Sequence, residues 1–227
     1  MSPEQRSLAG LALAIILIPV LAGLLACLPV PIGDPEQSRI DSRLNGIWLD
    51  EDLEAVWVFQ PYDKRTWLIT RFVIEAPNSA NPDATQDIDT YESLVHEMQT
   101  SGIGKEGFTS GKVEFYKVWR TKLAKQQFLT WERKGYLDDT GIRDPETWIV
   151  FRIDEVLDDR MSMSMIDGDF SGFKELEESR RAYERAIRRN VNNSDMYGSA
   201  MAWIRVREEH LELFSDLAGE ILSGTGN

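Results

Sequence analysis

Between Arg6 and Asp34 no residue carries a charge, and Leu8 to Cys27 is a run dominated by Leu, Ala and Ile. Hydrocarbon solvates no ions, and about 20 apolar residues are enough to span a bilayer. A chain with such a stretch is directed to a membrane, and the rest of it must fold beside one. A secretory signal has a positive n-region, a short apolar core and small residues before the cut. Here Arg6 is offset by Glu4, and the third residue before Cys27 is the bulky Leu24, which disfavours an ordinary cut. An uncleaved single-pass anchor is the competing reading, in which Pro19 would be tolerated. A buried core helix is the bland third choice.

Leu24-Leu25-Ala26-Cys27 resembles the lipobox of bacterial lipoproteins. The resemblance implies a signal peptide over 1–26, diacylation of the Cys27 sulfur, cleavage after Ala26 and N-acylation of the new terminus. That makes Cys27 the lipid attachment residue of a membrane-anchored protein, with covalent acyl lipid and no other cofactor. Residue 28 is Leu rather than Asp, which in that family's sorting pattern looks like transfer to the outer membrane. The implied address is the bacterial cell envelope, facing the periplasm. Cys27 is the only cysteine, so the chain can form no intramolecular disulfide and no Cys-based metal site.

Removing 1–26 removes Glu4 and Arg6, one of each sign, so the formal net charge of -13 is unchanged. Nucleic-acid binding depends on Lys and Arg neutralising phosphates, and an acidic surface of this strength argues against it. A hydrophobic content of 42% is ample for a packed core rather than a disordered chain.

Leu28 to Ser42 contains Pro29, Pro31 and Pro35 with Gly33, a composition that resists helix and sheet. It reads either as a tether over 27–43 that lifts the folded part off the lipid, or as an irregular strap packed on it. A β domain is expected over 44–170. Runs rich in β-branched and aromatic residues, bounded by turn residues, mark strands. They fall at Leu44 to Leu49, Ala55 to Phe59, Trp67 to Ile74, Val113 to Leu123, Gln127 to Arg133, Thr147 to Ile153 and Met161 to Ile166. About seven antiparallel strands in a meander can curl into a barrel or stay an open sheet. Tyr91, Leu94, Val95 and Met98 form one helical stripe between strands. Residues 171–227 read as a helical region packed on the sheet, with one stripe at Phe173, Leu176, Tyr183, Ile187 and Val191 and another at Leu211, Phe214, Leu217, Ala218 and Ile221. The fold class is therefore mainly β, or α+β, with C-terminal amphipathic helices.

Gly46-Ile47-Trp48 opening a meander that ends in helix is similar to the lipocalin and wider calycin pattern. That resemblance implies a barrel cup for an apolar ligand. Trp48, Trp57 and Trp119, with Met161, Met163 and Met165 alternating on one strand face, are the candidate lining. Core packing accounts for the same residues, since Trp supplies core area and Met fills irregular gaps. Three sulfurs could also suit Cu(I), but same-face residues lie about 7 Å apart along a strand, too far to converge without bending inward.

Arg180, Arg181, Arg185, Arg188 and Arg189 crowd one helix, a face for anionic headgroups or an acidic partner. Glu177 and Glu184, each four residues before an arginine, suggest a solvated face of i,i+4 pairs instead. His96 and His210 stand apart without a zinc motif, Gly104 to Lys112 lacks P-loop spacing, and no G-x-S-x-G elbow occurs. No catalytic or metal residue is assigned. The expected function is non-catalytic binding of a small apolar ligand or an envelope protein partner. The alternative is an assembly lipoprotein whose C-terminal helices form the partner surface.

Overall fold

The computed structural model describes residues 27–76, 88, 90–103, 107–138, 141–143 and 148–224. The apolar run through Ala26, the polar residues Pro77 to Asp83 and the turn at Asp139-Thr140 lie outside them. In chain order the strands are β1 (Cys27–Leu28), β2 (Gly46–Asp50), β3 (Ala55–Pro61), β4 (Thr66–Glu75), β5 (Thr109–Leu123), β6 (Gln126–Asp138), β7 (Gly141–Arg143), β8 (Trp148–Val156), β9 (Arg160–Ile166) and β10 (Tyr197–Arg205). The helices are α1 (Tyr91–Ser101), α2 (Arg180–Asn190) and α3 (Leu211–Gly224).

Eight strands close into an antiparallel barrel in the order β2-β3-β4-β5-β6-β8-β9-β10 and back to β2. β1 pairs with β8 and β7 with β6 outside that ring. All seven segments expected as strands are staves of the barrel. The eighth, β10, lies within the stretch assigned above to helices, and it is the strand that completes closure, with Arg205 opposite Trp48 and Trp203 opposite Asp50. Its sequence hides it. Gly198, Ser199 and Ala200 are exposed, and the pairing with β9 shifts register between Tyr197 and Ala200, so no clean period of two develops.

Successive side chains on a stave point alternately inward and outward. The inward set is Trp48, Trp57, Phe59, Trp67, Ile69, Tyr116, Val118, Leu129, Trp131, Phe151, Met161, Met163 and Trp203, which fill the interior. The outward positions are also apolar because helices cover the wall. Outside β2 to β5, α1 and α3 bury Tyr91, Leu94, Met98, Phe214 and Leu217 against Leu49, Val56, Phe72 and Val113. On the opposite side α2 lays Tyr183, Ala186 and Ile187 over Phe128, Val150 and Ile166. This double covering explains why Ala55-Val56-Trp57-Val58-Phe59 is apolar at every position rather than alternating.

Local signals start the helices. Thr90 and Ser93 form a reciprocal capping box at α1, and Ser179 caps α2. The stripe expected from Phe173 to Val191 is divided, because Ser171–Phe173 is a 3-10 turn and Glu175 takes φ 62° before the helix begins at Arg180. Of the two readings for the proline-rich segment, the packed strap holds. Leu28 and Ile32 are buried among the α2 cluster, and the Ile32 carbonyl accepts from Trp119 Nε1 at 2.8 Å and Thr130 Oγ1 at 2.9 Å. Cys27 itself pairs with Ile149, and from Leu28 onward the segment lies against the barrel. Among the described residues no helix is long and apolar enough to cross a membrane.

A candidate ligand site in the barrel

One end of the barrel is sealed by its own chain. The 3-10 turn Ser42–Leu44 places the fully buried Leu44 there. Trp48 Nε1 donates to the Leu44 carbonyl at 2.9 Å, and Trp67 Nε1 to Asn45 Oδ1 at 2.9 Å. The Arg205 guanidinium lies 4.0 Å over the Trp48 ring and donates to the carbonyls of Asp158, Asn45 and Arg43 at 2.5, 2.7 and 2.5 Å. Gly46 is required at this point. It takes φ 130°, and a Cβ there would come within 2.6 Å of Arg205 Nη1. The Gly-x-Trp triplet thus works as a clasp: the glycine admits the arginine that covers the tryptophan.

Above this cap the interior is ring against ring. Centroids of Trp57 and Trp131 are 5.5 Å apart, those of Trp57 and Trp203 6.2 Å, and those of Trp131 and Phe151 5.0 Å, in edge-on or tilted geometry. Met161 and Met163 are buried beside them, with Met161 opposite Trp203 in register and Met165 half-buried at the margin.

Toward the other end the inward positions become charged. Arg71 on β4, Glu114 on β5 and Arg133 on β6 occupy the same inward phase as the core residues two positions away. Glu114, only 4% exposed, lies 3.1 Å from Arg71 Nη1, 2.8 Å from Lys112 Nζ and 3.6 Å from Arg133 Nη2. Tyr116 donates to Glu114 Oε2 at 3.1 Å and accepts from Arg133 at 3.3 Å. Arg71 stands 5.2 Å over the Trp57 ring and Arg133 5.6 Å over Tyr116, which ties the polar layer to the aromatic one. Burial alone would push the Glu114 carboxyl up. The hydrogen bond from Lys112 and the charges of Arg133 and Arg71 outweigh it and hold the carboxyl below its ordinary value. Burial, helped by the Glu114 charge, pushes the Tyr116 phenol up to about 12, so at neutral pH it is a proton donor.

The inventory of this region is unbalanced. The indole N–H groups of Trp57, Trp131 and Trp203, and Arg133 Nε, are buried with no hydrogen-bond partner among the described residues. Leaving such a donor unpaired costs about 1–3 kcal/mol. Two arginines, Arg71 and Arg133, converge on one carboxylate, Glu114. The arrangement suits a small molecule with a hydrogen-bond-accepting, anionic head and an apolar body that tolerates aromatic and thioether walls.

Trp57, Met161 and Met163 from the sequence-derived set meet in this interior, and Trp48 lies in its sealed floor. Trp119 does not. It points outward between the inward Val118 and the strap, buried under Ile32, because β5 turns its odd-numbered residues to the outer wall. Cys27 is half-buried on β1 opposite Ile149, at the start of β8, and its thiol is raised chiefly by burial. The sequence reading passed over Arg71, Glu114, Arg133 and Arg205. Each is a charge in the apolar phase of a strand, and that mismatch was the available signal. Compared with models of protein families, with curated proteins and with solved structures, the chain matches none.

Proposed function

We propose that this protein is a lipid-anchored envelope protein whose barrel binds, without catalysis, a small amphiphile bearing an acidic head. The carrying observation is the surplus of donors in the barrel: among the described residues the buried indole N–H groups of Trp57, Trp131 and Trp203 and Arg133 Nε have no acceptor, and Arg71 and Arg133 converge on one carboxylate, Glu114. A closed eight-stranded barrel is compatible with a lipocalin-like binding domain, and barrels of this size hold at most one small ligand. Packed rings fill the lower interior, so the head sits in the polar layer and only a short apolar body follows.

The anchor fits this arrangement. β1 holds Cys27 against the end of β8 remote from the Arg205 clasp. With acyl chains on Cys27 and no spacer after it, the polar end of the barrel would be held close to the bilayer, the source of an apolar ligand. An uncleaved apolar segment before Cys27 would hold it in the same place. The reading of the C-terminal helices as a partner surface is placed second, because α2 and α3 turn their apolar residues onto the barrel wall.

The test is calorimetric titration of the full chain with octanoate and laurate, and with the alcohols of the same lengths. The acids should bind at least about tenfold more tightly than the alcohols, as charge-assisted hydrogen bonds require. Equal affinity for acid and alcohol, or no saturable binding of either, would overturn the proposal.

A further inference from the structure

A second concentration of positive charge lies outside the barrel, where the strap crosses the start of α2. The strap turns at Gly33, whose N–H donates to Glu184 Oε1 at 3.0 Å and whose carbonyl accepts from Arg180 Nη1 at 2.8 Å. Behind it, the last residues of β5 form a floor. The resulting cleft of about 510 Å³ is lined by Arg120, Lys122, Arg180, Arg181 and Arg188, against the two carboxylates of Asp34 and Glu184. In a chain of formal net charge -13 this is a pronounced local reversal of sign. Arg120 is paired with Asp41 at 3.2 Å, and the remaining four cations still outnumber the two carboxylates, which leaves a positive field inside the cleft.

The two carboxylates are already committed. Glu184 holds the Gly33 N–H and pairs with Arg188 at 3.3 Å. Asp34 accepts from Glu36 N and the Gln37 side chain at 3.0 and 3.1 Å. The solvated-face reading of the arginine cluster rested on two i,i+4 pairs, and only Glu184 with Arg188 forms. The other partner, Glu177, precedes the helix, which starts at Arg180, so Arg181 has no counter-ion among the described residues, and neither has Lys122. Both are exposed at the cleft. The first turn of the eleven-residue α2 adds the positive end of its dipole on the same side.

We infer that this cleft is a binding site for a phosphate ester, gripped by Arg181, Lys122 and Arg188. Guanidinium forks match phosphate oxygens, and a lysine adds a mobile point charge. The source can be a soluble phosphate ester or a phospholipid headgroup. Gly33 follows Cys27 by six residues, so an extended strap puts the cleft within about 20 Å of the anchoring position.

Two arms separate the sources. In the first, the full chain in zwitterionic detergent is titrated with sn-glycerol 3-phosphate. In the second, it is placed in nanodiscs of phosphatidylcholine with or without phosphatidylglycerol, and acetylation of Lys122 is followed by mass spectrometry. Binding of glycerol phosphate that weakens about tenfold or more in R181E/K122E supports a soluble ligand. In the nanodisc arm, protection of Lys122 by phosphatidylglycerol alone, lost in R181E, supports a headgroup. The melting temperature of both variants should match the parent, since the substituted side chains have no hydrogen-bond or ion-pair partner among the described residues. No response in either arm, or a response undiminished by charge reversal, overturns the inference.

Discussion

At the sealed end of the barrel, Trp48 and Trp67 each give their indole N–H to a fixed oxygen, and Arg205 is shared among three backbone carbonyls. Midway and beyond, Trp57, Trp131 and Trp203 have no such acceptor among the described residues, and the arginines of β4 and β6 converge on a single carboxylate. Both ends use the same residue types, tryptophan beside arginine. The difference is that the sealed end balances donors with acceptors from its own backbone, whereas the other end holds donors in excess. A balanced layer contributes stability, and the unbalanced one is where the proposed ligand would supply the missing acceptors.

The largest effect that could break this contrast is R205M. It removes the cation stacked on Trp48 and leaves the part-buried Asn45 carbonyl without its donor, which together should cost about 3 kcal/mol by urea denaturation. The affinity of the folded fraction for laurate should be unchanged, and a loss of affinity as large as that of stability would put the ligand at the wrong end. E114Q should behave in the opposite way. Taking one charge from a buried cluster should destabilise by about 2–3 kcal/mol, yet binding of the acidic head should tighten because Arg71 and Arg133 lose their only anion among the described residues.

The polar layer also predicts both limbs of the stability profile. Tyr116 is raised from 10.0 to about 12, so its contribution is complete below pH 10 and is lost as the pH rises toward 12. The loss should amount to about 2–3 kcal/mol and should be absent in Y116F. Glu114 is lowered from 4.5, so its contribution is present above that value and is lost as the pH falls through its depressed folded value. E114Q should flatten that acid limb. The smallest effect lies in the two-residue hairpin joining β5 to β6, where Ala124 and Lys125 adopt φ 49° and 72° without being glycine or asparagine. K125G should stabilise by about 0.5–1 kcal/mol and leave ligand affinity alone, since the turn lies at the sealed end.

The sequence was most legible where side-chain alternation met strong strand formers. Seven of the eight staves, the stripe of α1 and the Phe214 and Leu217 part of that of α3 could be read from it, as could the inward direction of Trp57, Met161 and Met163; Leu211 is exposed, and the side chain of Ile221 lies outside the described residues. β10 was not legible because its first half, Gly198-Ser199-Ala200, contributes no packed side chain and is held by hydrogen bonds to β9, which leaves the buried Trp203 without an alternating pattern around it. Trp119 was misplaced for a related reason: when a barrel wall is covered outside as well as inside, hydrophobicity no longer tells the two faces apart. The site itself was legible only as an anomaly, in Arg71, Glu114 and Arg133 standing in phase with Ile69, Tyr116 and Trp131.

The most direct measurement is the set of tryptophan side-chain 1H–15N signals of the full chain during addition of laurate. The account predicts that the indole N–H signals of Trp57, Trp131 and Trp203 move with saturation, while those of Trp48, Trp67 and Trp119, each already bonded to an oxygen, stay in place. Movement of the bonded three instead, or no movement in either group, would contradict it.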